Sequence, residues 1–152
     1  MDAESIVRTY ADMIYKIAYR YVRNASDAED AFSEVWLIYF KRDRAFETEE
    51  HRKAWLIRVT INVAKDLLSK RGYHEELTDR IELPEAGPAR EELMDLRNAI
   101  DQLPPDYKEV VCLYYLQGLP VKTIAEILDR NENTVKTHLS RAREQLRTYF
   151  GE

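Results

Sequence analysis

The side chains best placed to do chemistry in this sequence are hydrogen-bond donors on one short segment near its C-terminal end. Lys136, Thr137, Ser140 and Arg141 alternate with the apolar positions Val135, Leu139, Ala142 and Leu146, and Arg143 and Arg147 lie further along. On a helix, that spacing puts the donors outward, where they suit base edges and phosphates in a DNA major groove. A second group is acidic. Asp27, Asp30 and Glu34, with Glu29 beside them, line the side of a helix opposite Ala28, Ala31, Phe32, Val35, Trp36 and Tyr39. Paired carboxylates can hold metals or act as acids and bases. No Glu-x-x-His partner accompanies these, and a solvated acidic face is the commoner outcome. The three histidines are scattered, and the single cysteine, Cys112, sits in the apolar run Val110–Leu113 and reads as a core thiol. The sequence therefore assigns no catalytic residue, no metal and no cofactor.

The elements that carry these residues are helical. The first helix is expected over Asp2–Arg23, with Ile6, Tyr10, Met13, Ile14, Ile17, Tyr21 and Val22 inward. Asn24-Ala25 breaks it, and Ser26 with Glu29 reads as a capping box for the second helix. After the polar stretch 41–52, a third helix is expected from Glu49 or Glu50 to Lys70, with Trp55, Leu56, Val59, Val63 and Leu67 on its apolar side. Residues 72–88 lose periodicity, hold two Pro and two Gly, and read as a linker. A fourth helix follows over Glu91–Gln102, with Leu93, Leu96, Ile100 and Leu103 inward. A fifth runs over Asp106–Leu116 and is closed by Gly118. The final two, from Val121 to Arg147, form a helix-turn-helix whose second helix is capped by Asn131.

Composition narrows the choices. A chain of 152 residues holds one domain or two small ones, and four Gly and five Pro argue against a turn-rich all-β fold. The sequence shows no apolar run of membrane-spanning length and opens with an acidic Met-Asp-Ala-Glu, so a cytoplasmic protein is expected. A net charge of −5 looks wrong for a DNA-binding protein. Its distribution removes the difficulty: Arg52, Lys53, Arg58, Lys65, Lys70 and Arg71 face only Asp66, whereas residues 75–95 hold eight acids and two bases. Two basic stretches flank an acidic middle, so DNA binding by the chain alone should be weak.

Three motifs in order resemble a known family. Residues 26–36 (SDAEDAFSEVW) look like the polymerase-binding helix of bacterial sigma factors, and residues 54–66 (AWLIRVTINVAKD) like the promoter-facing helix that follows it. Residues 100–113, Ile124–Leu128, Thr134–Lys136 and Arg141–Arg143 look like sigma domain four. The order and short linker are similar to the extracytoplasmic-function (ECF) group, which keeps only domains two and four. The resemblance covers nearly the whole chain. It implies an all-α fold of two small helical domains joined by a flexible acidic linker: domain two over 1–72, linker 73–90, domain four over 91–152.

The resemblance also implies roles. Asp27, Glu29, Asp30 and Glu34 would dock on the clamp coiled coil of the polymerase largest subunit, and domain four would meet the flap region. The loop Phe46–Lys53 would capture a flipped base of the −10 element, for which Phe46, His51 and Asn62 are suitable types and Arg58 a neighbour. Lys65, Lys70 and Arg71 would hold phosphates. Lys136, Thr137, Ser140 and Arg141, with Asn133 and Thr134, would face the −35 element. The acidic linker would pass through the polymerase near the RNA path. Similar sigma factors are often held inactive by an anti-sigma protein, which makes one a candidate partner. Asp129 and Asn133 replace common glycines, Pro120 a common Ser/Thr cap, His138 a common Arg and Ser33 a common Gln. The expected function is promoter-specific transcription initiation with core RNA polymerase. A stand-alone helix-turn-helix regulator is the alternative.

Overall fold

The computed structural model describes residues 2–71 and 90–151, with side chains described over 2–70 and 95–151. The backbone of these residues is helical and contains no strand. It divides into two compact units, residues 1–79 and 80–152. The stretch 72–89, which contains nearly all of the expected linker, lies outside the described residues. Among the described residues, no helix is long and apolar enough to cross a membrane.

The first unit packs three helices on one another: α1 (Ala3–Val22), α2 (Ala25–Lys41) and α3 (Glu49–Arg71). Asp2 caps α1, its side chain accepting from the Ser5 N–H at 2.8 Å. Arg23 ends the helix in the left-handed region, φ 64°. That reversal lets α2 begin only three residues later. Ile14, Ile17, Val22, Val35, Leu56, Ile57 and Ile61 are fully buried, with Ala18, Ala28, Ala31 and Ala64 where helices approach closely. Each large aliphatic side chain buried this way contributes about 1.5–3 kcal/mol.

The start of α2 differs from expectation. Its cap is Asn24 rather than Ser26: the Asn24 side chain accepts from the Asp27 N–H at 2.8 Å and donates back to the Asp27 carboxylate at 2.9 Å. The cap lies two residues upstream of the expected one, and the Asp27 carboxylate closes it through the Asn24 side-chain amide rather than through a backbone N–H. Ser26 is left on the exposed side of the first turn. The register is decided by Ala28 and Ala31, which must face α1 and α3 and so fix the rotation of the helix.

The second unit contains α4 (Arg90–Asp101), α5 (Pro105–Val111), α6 (Val121–Leu128) and α7 (Glu132–Tyr149). The expected fifth helix is not one α-helix. After Val111 it widens into a π-helical turn, Cys112–Leu116, closed by a bond from the Gln117 N–H to the Cys112 carbonyl at 3.1 Å. The wider turn keeps Cys112 and Leu113 buried, and it leaves Tyr115 exposed beside Tyr114. Gly118, with φ 69°, then reverses the chain into α6. Leu96, expected inward on α4, is exposed, whereas Ile100 and Leu103 are buried as expected. Ile124, Val135, Leu139 and Ala142 join α6 to α7.

Candidate polymerase and nucleic-acid interfaces

The acidic side of α2 is narrower than its sequence suggests. Asp27 is 1% exposed and engaged by Asn24, so it belongs to the helix cap and not to a docking face. Its place at the third helical position after the Asn24 cap turns it inward. Glu29, Asp30 and Glu34 are exposed. Asp30, Glu34 and Leu37 follow at steps of four and three and share one face, and Leu37 is 59% exposed. Ile38 and Phe40 are also exposed. These three are not among the residues expected to act. Their signal was that they fall out of phase with the inward series Ala28, Ala31, Val35 and Tyr39.

The loop after α2 leads into an aromatic cluster. The Phe46 ring lies 6.1 Å from Tyr39, 5.5 Å from Trp55 and 5.1 Å edge-on from His51, centroid to centroid. The Arg42 guanidinium sits 3.9 Å from the Phe46 ring centre and 4.2 Å from that of Tyr39. It also donates to the Arg44 carbonyl. A desolvated cation over an aromatic face is stabilising by on the order of 1–2 kcal/mol, so Arg42 pins Phe46 to the bundle. Phe46 and His51, both expected near the −10 base, are therefore brought together, and Trp55 and Arg42 join them. Trp55 lies on the apolar side of α3, as its spacing predicts. It is only half-buried, with its ring against Phe46.

Thr48 begins α3 by accepting from the His51 N–H at 3.0 Å. His51, Arg58, Asn62 and Lys65 are exposed and recur at steps of seven, four and three, so they line one face of α3. Lys65 lies over the Tyr21 ring at 5.7 Å. Lys70 falls off this face and pairs with Asp66 at 3.1 Å, both in water. Arg71 ends α3, and its side chain lies outside the described ones. Arg52, counted with the basic stretch, is mostly buried and ion-paired with Glu49. The second oxygen of Glu49 accepts from the Tyr10 hydroxyl of α1 at 2.6 Å.

In the second unit the helix-turn-helix forms as expected. Asp129 takes the left-handed conformation at the end of α6, φ 53°, where a glycine would be unstrained. Asn131 caps α7, its side chain accepting from the Asn133 N–H at 2.8 Å. Asn133, Thr134, Lys136, Thr137, Ser140 and Arg141 are all exposed. Asn133, Thr137 and Ser140 form the central outward line, Lys136 flanks it on one side, and Thr134 and Arg141 flank it on the other. Arg130 does not contribute to this surface. Its guanidinium turns back to Glu109 and to Asp106, 3.3 Å away, tying the turn to α5. His138 also faces inward, 5.3 Å from the Tyr107 ring. Arg143 donates to the Tyr115 hydroxyl at 2.6 Å, a contact made possible by the π-helical turn.

Among the described residues no group of three His, Cys, Asp or Glu side chains could hold a metal ion, and Cys112 is buried.

Comparison with known proteins agrees with this geometry. The family description "Sigma-70 region 2" matches residues 6–73, and "Sigma-70, region 4" matches residues 93–146. The chain is 33% identical to the RNA polymerase sigma factor SigV of Bacillus subtilis, over 88% of this chain and 81% of that protein. It is 31% identical to the ECF RNA polymerase sigma factor SigW of the same organism, over 93% and 85%. A match to the ECF sigma factor SigE of Mycolicibacterium smegmatis, 31% identical, covers 97% of this chain but only 61% of that longer protein. Among solved structures, the sigma factor RpoE in complex with the anti-sigma factor NepR from Bartonella quintana shares the fold, with TM-score 0.74 and 21% identity over 97% of this chain and 95% of that one. Two helical units in this order, each matched by its own region, place the chain in the ECF group of the sigma-70 family of RNA polymerase sigma factors.

Proposed function

We propose that this chain binds core RNA polymerase in the cytoplasm and directs initiation at promoters contacted by both units, with no catalysis of its own. Domain two would span 1–72, the linker 73–90 and domain four 91–152. The single observation that carries the reading is the separation of charge by surface. Acids and exposed apolar groups occupy α2, whereas donors and cations occupy one face of α3 and the outer side of α7. In this reading Glu29, Asp30 and Glu34, with Leu37 among them, dock on the clamp coiled coil of the polymerase largest subunit, and the second unit meets the flap region. Phe46, His51, Arg58 and Asn62 take the unpaired −10 strand, and Lys65, Lys70 and Arg71 meet its phosphates. Stacking of an unpaired base contributes about 1–3 kcal/mol per base, which suits the ring cluster around Phe46. Lys136, Thr137, Ser140 and Arg141, with Asn133 and Thr134, read the −35 duplex.

Neither contact alone gives tight binding, because each neutralises few phosphates and the affinity from each neutralised phosphate falls with salt. Joining them on one polymerase raises the effective concentration of the second once the first is made. The Bartonella quintana sigma factor of similar fold is complexed with an anti-sigma factor, and an anti-sigma partner that covers the α2 face is the regulation this reading favours. The test is run-off transcription from fragmented genomic DNA of the source organism, with core polymerase and the purified chain. Discrete transcripts dependent on the chain are expected. Their absence on every fragment would sink the assignment.

A further inference from the structure

Glu49 opens α3, one residue from Glu50 and two from His51, and its carboxylate is held on the side of the helix that meets α1. Both of its oxygens are engaged. One accepts from the Tyr10 hydroxyl at 2.6 Å, across 39 positions of chain, and the other pairs with Arg52. Tyr10 is 8% exposed and packs in the core. Its hydroxyl is pushed up to about 12, first by burial and then by the hydrogen bond to Glu49 and its charge, so it remains a donor throughout the neutral range.

We propose that Tyr10 and Arg52 are positioning residues for promoter-strand capture, holding the Glu49 charge on the α1 side of α3, away from the face that carries His51. The inference rests on the −10 reading of His51, Arg58 and Asn62. Released from Tyr10, the Glu49 carboxylate is no longer fixed on the α1 side, and an unfixed negative charge in the turn that carries His51 repels phosphate. The hydrogen bond also ties the turn that carries His51 to α1, so its loss both frees an acid and loosens the turn. The two effects separate in a double variant, because Gln in place of Glu49 removes the charge whether or not the tie is made.

The test uses holoenzyme reconstituted from core polymerase and the full chain. A single-stranded DNA selected by the wild-type holoenzyme from a random pool serves as probe, and its anisotropy is measured across a salt series. Failure of the wild type to select any strand would count against the −10 reading itself. Given selection, Tyr10→Phe, which keeps the ring in the core, is expected to weaken strand binding about three- to tenfold, more at low salt. Arg52→Gln should act in the same direction. Glu49→Gln alone should bind at least as well as wild type, and Tyr10→Phe combined with Glu49→Gln should recover binding. The proposal is overturned by an unchanged Tyr10→Phe, by a double variant as weak as Tyr10→Phe, or by weakening in Glu49→Gln alone, which would make Glu49 a reader of the strand. Binding of a −35 duplex should be unchanged in all of them.

Discussion

The two surfaces proposed to face DNA are built differently. In the first unit, Phe46 and His51 are woven into the bundle through Tyr39, Trp55 and Arg42. In the second, Lys136, Thr137, Ser140 and Arg141 stand in water on a helix held from behind by Val135, Leu139 and Ala142. The difference fits what each is proposed to contact. A base pulled out of a duplex needs a preformed aromatic wall, because the energy lost on unstacking must be regained by stacking elsewhere. A duplex already presents its code in the major groove, so a rigid helix with free donors suffices. Recognition and stability should therefore be coupled in the first unit and independent in the second.

The largest effect expected from that contrast is at Phe46. Phe46→Ala removes the ring on which Arg42, His51 and Trp55 converge and should destabilise the first unit by about 2–4 kcal/mol, toward the low end of core Phe truncations because the ring is half-buried. Both tryptophans, Trp36 and Trp55, lie in this unit, so denaturant unfolding followed by tryptophan fluorescence reports on it alone. Strand opening at the promoter, followed by permanganate reactivity, should fall with it. A variant that keeps full stability yet loses opening would break the proposed coupling.

In the second unit the reverse holds. Lys136→Ala and Arg141→Ala should each cost about 1–3 kcal/mol in promoter discrimination if they reach base edges, with thermal unfolding unchanged within about 0.5 kcal/mol. Equal losses on all sequences would reassign the residue to phosphate contact.

A smaller effect is expected at alkaline pH. The Tyr10 hydroxyl ionises near 12 in the folded chain against 10.0 ordinarily. A raised value means that folding favours the protonated phenol. Its contribution is therefore complete below pH 10 and is lost as the pH climbs from 10 toward 12, by about 1–2 kcal/mol. Fluorescence-detected unfolding of wild type and Tyr10→Phe should differ in pH slope over that window and agree below it. The smallest contrast concerns the α2 cap: Asn24→Ala should cost about 1 kcal/mol and Ser26→Ala nearly nothing. Equal losses would restore Ser26 as the cap.

The helices themselves were legible from the sequence because apolar residues recur at helical steps: Ile6, Tyr10, Ile14 and Ile17 in α1, and Val135, Leu139 and Ala142 in α7. Asn131 was legible as a cap because it stands alone before such a series. Ser26 is not the cap that its pattern suggests, because two capping patterns overlap within residues 24–29, and only packing of Ala28 and Ala31 decides between them. The donors of α7 could be assigned from spacing, since outward residues need no partner to be recognised. Arg42, Tyr10 and Trp55 could not, because each acts through a neighbour far along the chain or through a ring that reads as core.

Local pattern, then, determined the all-α class, the two-unit order and the outward face of α7, since period and charge are properties of short windows. Tertiary structure alone decided which charges remain available. Asp27 goes to a helix cap, Arg130 to Asp106 and Glu109, and Glu49 to Tyr10 and Arg52. Whether a charged side chain meets water, DNA or another side chain depends on what the fold brings within about 3 Å of it, and most of those partners lie many residues away.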